Sequence, residues 1–299
     1  MKRELSRRNF LGAAAIGAGA TILPSYLLAS THRAISESSE LYKEPLKIGL
    51  MTYMLGSEWD LDTIIKNCTE TKFVHAELRT THKHGVEVTL SKAQRKEVKK
   101  KIADSALESI SLASAFMYHF PDKKVLKENI EGTKEFLQLA ADVGALSIRV
   151  FPNDLPDEIP EDKTIEQIGK SLAEVGKFGN NLGVDVRVCI HGRKTNQIGV
   201  IKKIIDYSES PYVYVNWNCD DNDTKGEGFL ANFNMLKDRI RGIHLHELNS
   251  ENYPYRELFK LLKQNGYRGY CNAEVGASCE PIRFMKYYRA LFLAYQNDI

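Results

Sequence analysis

The sequence predicts a single (β/α)8 TIM barrel that follows an N-terminal export signal. Eight short apolar runs, rich in β-branched residues, alternate with longer amphipathic stretches over residues 45–299. This is the pattern of parallel strands joined by crossover helices, and eight such units close a barrel. An open nucleotide-binding sheet is the weaker alternative, because LGSEWDLD follows the first predicted strand where a glycine-rich phosphate loop would be expected.

The strands and helices follow one another in regular order along the chain. The predicted strands are LKIGLM (46–51), FVHAELR (73–79), SISLAS (109–114), LSIRVF (146–151), DVRVCI (185–190), YVYVNW (212–217), IRGIHLH (240–246) and GYCNAEV (269–275). The clearest predicted helices are LSKAQRKEVKKKIADSAL, VLKENIEGTKEFLQLAADVGA and TIEQIGKSLAEVGKFGNNLG. The last two carry apolar residues at helical spacing and end at glycine, which favours a helix C-terminus there.

The N-terminal segment has the organisation of an export signal. A basic stretch that ends in Arg7–Arg8 precedes a short apolar run rich in alanine and glycine. The run is shorter than the roughly 20 apolar residues that a membrane-spanning helix needs. SRRNFL resembles the twin-arginine motif closely. We therefore expect a twin-arginine signal peptide (1–29), a linker (30–44) and a periplasmic barrel domain (45–299) with no membrane attachment after cleavage.

The charge balance and the cysteine pattern exclude several classes of protein. The chain has 41 Lys and Arg and 39 Asp and Glu; removal of residues 1–29 takes away four and one of these and leaves 37 and 38. This near-neutral balance gives no reason to expect a nucleic-acid partner. Five cysteines without a CxxC pair predict buried thiols and no disulfide framework. The sequence is compatible with a homo-oligomer.

The predicted strands end in polar side chains that core packing does not require. These residues are Glu77, Arg79, Arg149, Arg187, Cys189, His191, Asn216, Asn218, His244, His246, Asn272 and Glu274. Their period-2 spacing lets each group face the barrel interior, where catalytic residues of such barrels gather at the carboxyl ends of the strands. Buried charges need a metal, a ligand or mutual pairing. A structural ring of salt bridges in a lower layer is the alternative, and it fits Arg149 and Arg187 best.

Four of these segments resemble the xylose-isomerase-like superfamily of sugar isomerases and epimerases, and the resemblance covers essentially all of residues 45–295. They are HAELRTTHKHG on the second strand, IHG on the fifth, GIHLHE on the seventh and NAEVG on the eighth. The resemblance implies a TIM barrel with a divalent metal, manganese, magnesium, cobalt or zinc, at its mouth. The ligands in that family are Glu, Asp, His and Glu from strands five to eight.

Carried onto this chain, the resemblance matches the seventh-strand histidine to His244 and the eighth-strand glutamate to Glu274. The sixth-strand aspartate falls on Asn218 and the fifth-strand glutamate on Cys189, so two of the four ligands depart from the pattern. We expect a metal site of His244, Glu274, His191 and Asn218; participation of Cys189 would favour zinc. A site that has lost its metal and binds sugar through polar side chains is the alternative.

The resemblance also implies proton abstraction next to a sugar carbonyl. We expect catalytic roles for Glu274, His191, Cys189 and Glu77, with Glu274 as the base. Cys189 replaces one of the two glutamates with which the epimerases exchange a proton, so two-base epimerisation is in doubt. A single base still supports isomerisation, or elimination with His191 or His246 protonating the departing oxygen.

An unphosphorylated sugar or keto-glycoside is the expected substrate, since an exported enzyme meets few phosphorylated sugars and the sequence lacks an obvious phosphate-binding loop. Arg79, His84, His246, Asn218 and Trp59 are the predicted substrate contacts. A non-catalytic sugar-binding barrel with an eroded metal site is the main rival. A related DNA-repair endonuclease would need a basic groove and more His and Glu ligands than this chain offers.

Overall fold

The computed structural model describes residues 45–297, and these form a closed barrel of eight parallel strands in the order β1 to β8. The strands are Lys47–Met51, His75–Arg79, Ser109–Met117, Ser147–Phe151, Asp185–Cys189, Val213–Trp217, Ile240–Leu245 and Tyr270–Ala273. The helices, numbered α1 to α8, are Leu61–Thr71, Lys92–Ala103, Lys123–Val143, Glu161–Leu182, Ile198–Ser208, Phe229–Leu236, Tyr255–Gln264 and Pro281–Asn297. The predicted (β/α)8 TIM barrel is confirmed.

The strands separate an apolar outer layer from a polar interior. Alternate strand residues such as Leu50, Leu78 and Val188 are fully buried in a hydrophobic core shared with the surrounding helices. Burial of an aliphatic side chain of this kind stabilises a fold by about 1.5–3 kcal/mol. The residues between them point into the barrel, where Glu77 of β2 reaches across to His244 of β7. The period-2 polar pattern therefore positions the site.

Helix boundaries follow local capping chemistry. Asp60 accepts a hydrogen bond from the Thr63 amide at the start of α1, and Ser91 forms a capping box with Gln94 at the start of α2. Gly144 and Gly183 follow α3 and α4 with φ angles of 78° and 72°. Such left-handed backbone favours glycine, so the predicted glycine stops lie where the helices end.

Strands β2 and β8 are shorter than predicted by two residues or more. The Phe73 amide bonds the Cys68 carbonyl and completes the end of α1, so β2 begins only at His75. Strand β8 ends at Ala273, which places Glu274 just beyond the sheet. The Glu274 amide still bonds the Leu245 carbonyl at 2.8 Å. This contact fixes the Glu274 backbone at the barrel mouth.

Two interior glycines make room for asparagines of neighbouring strands. A Cβ atom at Gly49 of β1 would lie 2.1 Å from Asn272 Oδ1, and one at Gly242 of β7 would lie 2.3 Å from Asn216 Oδ1. Both distances are far below van der Waals contact. The barrel can therefore hold both amide side chains in its interior only because β1 and β7 carry no side chain at these points.

The predicted signal peptide (1–29) and linker (30–44) lie outside the described residues. Within residues 45–297, no helix is both long and apolar enough to cross a membrane. All five cysteines are free thiols; Cys279 is exposed and the other four are buried. The prediction of mostly buried thiols is confirmed.

Candidate active site at the mouth of the barrel

A cavity of about 390 Å³ opens at the carboxyl end of the strands. Sites for small molecules typically enclose about 300–1,000 Å³, so this one suits a compact ligand. Polar side chains on its wall include Arg79, Arg149, His191, Asn218, His244 and Glu274. Strands far apart in the sequence thus contribute to one chamber, as the pattern of strand ends predicts.

Glu77, His244 and Glu274 form a continuous hydrogen-bonded chain from the barrel interior to the cavity. His244 Nε2 lies 3.1 Å from Glu77 Oε1, and His244 Nδ1 lies 3.0 Å from Glu274 Oε2. The second oxygen of Glu77 accepts a hydrogen bond from Asn272 Nδ2 at 2.8 Å. Both carboxylate oxygens of Glu77 and both ring nitrogens of His244 therefore have a defined partner.

The charges of Glu77, His244 and Glu274 stabilise one another. Burial would raise the pKa of Glu77 and Glu274, but the adjacent His244 outweighs it and lowers both pKa values to about 2. Burial would lower the pKa of His244, but the two carboxylates raise it well above its usual value. The arrangement is an imidazolium held between two carboxylates.

The two glutamates have different access to the cavity. Glu77 is buried beneath His244 and does not line the cavity, so it can act on a ligand only through His244. Glu274 does line it, and its Oε1 accepts no hydrogen bond from residues 45–297. Among the described acidic residues, Glu274 is the one with a carboxylate on the cavity wall.

The residues at the mouth do not fit the metal site that the resemblance implies. Residues 45–297 contain no group of three or more His, Cys, Asp or Glu side chains placed to hold a metal ion. Both ring nitrogens of His244 face carboxylates, Nε2 that of Glu77 and Nδ1 that of Glu274. The predicted ligands His244, Glu274, His191 and Asn218 are therefore not gathered into such a group in this part of the chain, although His244 and Glu274 lie side by side.

Cys189 and His191 occupy different depths of the cavity wall. Cys189 ends β5, is buried, and receives a weak hydrogen bond from Asn216 Nδ2 at 3.7 Å. His191 lies beyond the strand, with its ring 4.7 Å from that of Phe151. Burial, and then the charge of Arg149, lower the pKa of His191. A neutral His191 at pH 7 can both donate and accept a proton at the mouth.

Only one of the two arginines expected in a structural ring of salt bridges forms one within residues 45–297. Arg187, lower in the barrel, contacts Asp185 at 3.4 Å, as that alternative expects. Arg149 is only 4% exposed, lines the cavity, and forms no ion pair within residues 45–297. Its guanidinium stacks 3.9 Å from the Phe151 ring centre. It therefore belongs to the site, and the strand-end pattern alone could not separate it from Arg187.

The loops after β1 and β2 supply a different set of side chains from that predicted. Arg79 reaches the wall, but His84 is held under its loop by the Arg79 carbonyl (2.7 Å) and the Val86 amide (3.0 Å). Trp59 packs against the core and does not line the cavity. Tyr53 and Met54, which the sequence reasoning missed, stand at the rim and are about half exposed. Their position directly after the first predicted strand is the sequence feature that could have identified them as rim residues.

His246 links the ends of two strands across the mouth. Its Nε2 lies 2.8 Å from the Asn218 carbonyl oxygen and its Nδ1 lies 3.1 Å from the Glu274 carbonyl oxygen. The Tyr288 hydroxyl donates to the His246 carbonyl at 2.7 Å. His246 and Asn218 both line the cavity, and their backbone contacts hold this side of it in place.

Comparison with known proteins supports the architecture. Residues 65–288 match a protein family described as xylose isomerase-like TIM barrel. An L-ribulose 3-epimerase structure superposes with a TM-score of 0.72 at 16% identity, over 85% of this chain and 95% of the other. The 3-keto-D-glucoside 4-epimerase of E. coli gives 0.66 at 15% identity, over 85% and 100%.

A third structure, the IolI protein with a bound zinc atom, gives a TM-score of 0.67 at 13% identity, over 85% of this chain and 97% of the other. At these identities the likenesses concern the fold. No curated protein sequence matches the chain.

Proposed function

The chain belongs to the xylose isomerase-like TIM barrel family, and on that premise we propose that it is a sugar isomerase or epimerase-type enzyme. Its reaction removes a proton next to the carbonyl of an unphosphorylated sugar or keto-glycoside. The observation that carries this proposal is the Glu274 carboxylate on the cavity wall: one oxygen lies 3.0 Å from His244 Nδ1, and the other has no hydrogen-bond partner within residues 45–297.

Glu274 suits the role of general base. The adjacent His244 lowers the pKa of Glu274, which keeps the carboxylate ionised, and holds it in one orientation. A base in such a site accepts the proton on its free oxygen as the C–H electron pair moves toward the carbonyl. Glu77 and Asn272 are positioning residues, since Glu77 hydrogen-bonds His244, Asn272 hydrogen-bonds Glu77, and neither lines the cavity.

The enolate that forms needs positive charge or hydrogen-bond donors nearby. Arg149 and His191 line the same cavity and can supply them. No step here depends on a bound metal, because the described residues do not assemble a ligand set. Glu274 can return this proton to the neighbouring carbon, while a neutral His191 takes a proton from one enediol oxygen and gives one to the other, which completes an isomerisation.

Elimination is the second candidate reaction, and Cys189 is the observation that favours it over two-base epimerisation. Cys189 lies where the family's second carboxylate is expected and is buried against Asn216. A single base at Glu274 permits loss of a leaving group from the next carbon, with His191 protonating the departing oxygen. The bond to that oxygen breaks as the C=C bond forms.

Hydrogen exchange tests the proposal most directly. The barrel domain is incubated in D2O with unphosphorylated ketoses and keto-glycosides, and NMR follows loss of the proton next to the carbonyl and release of any leaving group. We expect Glu274→Gln to slow exchange about 10²–10⁴-fold. Glu280→Gln, an exposed glutamate paired with Arg283, is the matched control. Equal exchange by wild type and Glu274→Gln would refute the proposal.

The predicted divalent metal has its own test. Elemental analysis of protein purified without chelator should find no stoichiometric metal if His244 serves as the cation. About one manganese, zinc or cobalt per chain that is lost in His244→Asn would instead restore the metal site predicted from the resemblance.

A further inference from the structure

The guanidinium of Arg149 makes no hydrogen bond within residues 45–297. Its Nε and Nη1 atoms are buried without a hydrogen bond, and the side chain forms no ion pair in the part of the chain that the structure describes. A buried, unpaired charge is strongly unfavourable, so such groups normally have a counter-charge or a ligand. The position of Arg149 on the cavity wall indicates that this partner enters from the cavity.

A second guanidinium stands on the same wall. Arg79 hydrogen-bonds the Thr80 carbonyl at 2.5 Å and forms no ion pair within residues 45–297. Burial, followed by the charge of Arg149, lowers the pKa of Arg79, which shows that the two cations repel each other. Two like charges facing one chamber are explained if an anion sits between or against them.

The protein supplies little negative charge to offset them. Among the described residues, Glu274 is the carboxylate on the cavity wall, and its Oε2 is already bound to His244. Glu77 lies below His244 and is bound to His244 and Asn272. Arg149 acts on both glutamates at longer range, but within residues 45–297 neither carboxylate lies within 4.0 Å of a nitrogen of Arg149 or Arg79, and neither arginine forms an ion pair.

We propose that Arg149 and Arg79 form an anion subsite and that the substrate is a sugar acid, whose carboxylate binds there while its carbonyl-bearing carbon faces Glu274. The inference rests on the proposed function and names its substrate class. Guanidinium–carboxylate hydrogen bonds are among the strongest that proteins make. The Phe151 ring, 3.9 Å from Arg149, holds the guanidinium plane in position for this contact.

The size of the cavity favours a carboxylate over a phosphate as the anionic group. At about 390 Å³ the chamber lies at the small end for ligand sites, and a carboxylate adds fewer atoms to a sugar than a phosphoryl group does. Both groups carry anionic oxygens, so the experiment has to compare them.

Binding calorimetry with matched probes tests the subsite. The probes are D-glucuronate, D-gluconate, D-glucose and D-glucose 6-phosphate, each titrated into the full-length protein at low and high salt. We expect at least one sugar acid to bind about tenfold or more tightly than D-glucose, with the difference reduced by salt. Arg149→Met should abolish the preference, and Arg149→Lys should keep part of it. Arg283→Met, on the exposed surface of α8, should leave it unchanged.

Three results would overturn the inference: sugar acids that bind no better than D-glucose, a preference that survives in Arg149→Met, or tight binding of the phosphate alone. Arg79→Met provides a second variant in case Arg149→Met does not fold, since Arg79 is only partly buried. The assay needs no turnover. Anion preference without proton exchange would refute the proposed function alone, and exchange without anion preference would refute the subsite alone.

Discussion

His244 and Glu274 meet at the mouth of the barrel, with Nδ1 of the imidazole 3.0 Å from Oε2 of the carboxylate. The other ring nitrogen of His244 faces Glu77 at 3.1 Å. The histidine that the family resemblance assigns to a metal is thus enclosed by two carboxylates. The two carboxylates raise the pKa of His244 well above its usual value, so the three side chains are coupled by charge.

Replacement of His244 should lower the free energy of unfolding. His244→Gln leaves two buried carboxylates without their cation, and loss of one partner of a buried ion pair typically costs about 3–5 kcal/mol. Urea denaturation should show this loss. The double variant Glu77→Gln/His244→Gln should lose less than the sum of the two single variants. Additive losses would contradict the coupling.

Acid should weaken the same cluster. The pKa values of Glu77 and Glu274 are about 2 in the folded chain, below those of unfolded glutamate. A depressed folded pKa contributes stability that is present above the unfolded value, about 4.3, and is lost as the pH falls toward 2. Thermal melts between pH 5 and 2 should show a shallower decline in Glu274→Gln than in wild type. Parallel curves would contradict the prediction.

The sequence predicts much of this architecture because strand periodicity is local. Alternating polar residues on β2, β7 and β8 place Glu77, His244 and Asn272 inside the barrel, and their convergence follows from closure. The partner of each side chain is a tertiary property. Nothing in GIHLHE shows that both nitrogens of His244 face carboxylates, and nothing in LSIRVF shows that Arg149 lacks a partner while Arg187 has one.

The loops were harder to predict for the same reason. Trp59 and His84 stand in segments that lead to the mouth, but packing against the core and backbone hydrogen bonds turn both away from the cavity. Tyr53 and Met54 take the rim positions instead. Loop direction depends on such contacts, which have no periodic signature in the sequence.

Asp223, a buried carboxyl away from the site, should make the protein less stable as the pH rises, which is opposite to the effect of Glu77 and Glu274. Asp223 receives a hydrogen bond from the Tyr253 hydroxyl at 2.5 Å, while its other oxygen is buried without a partner. Burial raises the pKa of Asp223 to about 7. The folded state then holds a proton that the unfolded state releases near pH 4, so stability falls as the pH rises from about 4 to about 7.

Asp223→Asn tests this dependence, since it retains an acceptor for Tyr253 but cannot ionise. The difference in unfolding free energy between the variant and wild type should grow in favour of the variant by up to about 4 kcal/mol between pH 4 and pH 7. Taking the difference cancels the contribution of other titrating groups such as buried His75. A difference that does not change with pH would contradict the prediction.

Gly49, the interior glycine of β1, offers a steric test of the hydrogen bond from Asn272 to Glu77. A Cβ at Gly49 would lie 2.1 Å from Asn272 Oδ1, and Asn272 Nδ2 in turn donates to Glu77 at 2.8 Å. Gly49→Ala should therefore displace Asn272 and destabilise the barrel by about 1–3 kcal/mol. It should also slow proton exchange, because Glu77, which hydrogen-bonds His244, loses its hydrogen bond from Asn272.

Gly199→Ala is the matched control for this substitution. Gly199 lies in the first turn of α5, and a Cβ there meets no atom within 4 Å. Alanine is the better helix former by about 0.8–1.0 kcal/mol, so this variant should be as stable as wild type or slightly more so. Denaturant titrations of both variants, read beside their exchange rates, separate a packing defect at Asn272 from the general effect of adding a methyl group. Equal stability and equal exchange in Gly49→Ala and Gly199→Ala would mean that the barrel interior yields to a side chain at β1, and that Asn272 does not position Glu77.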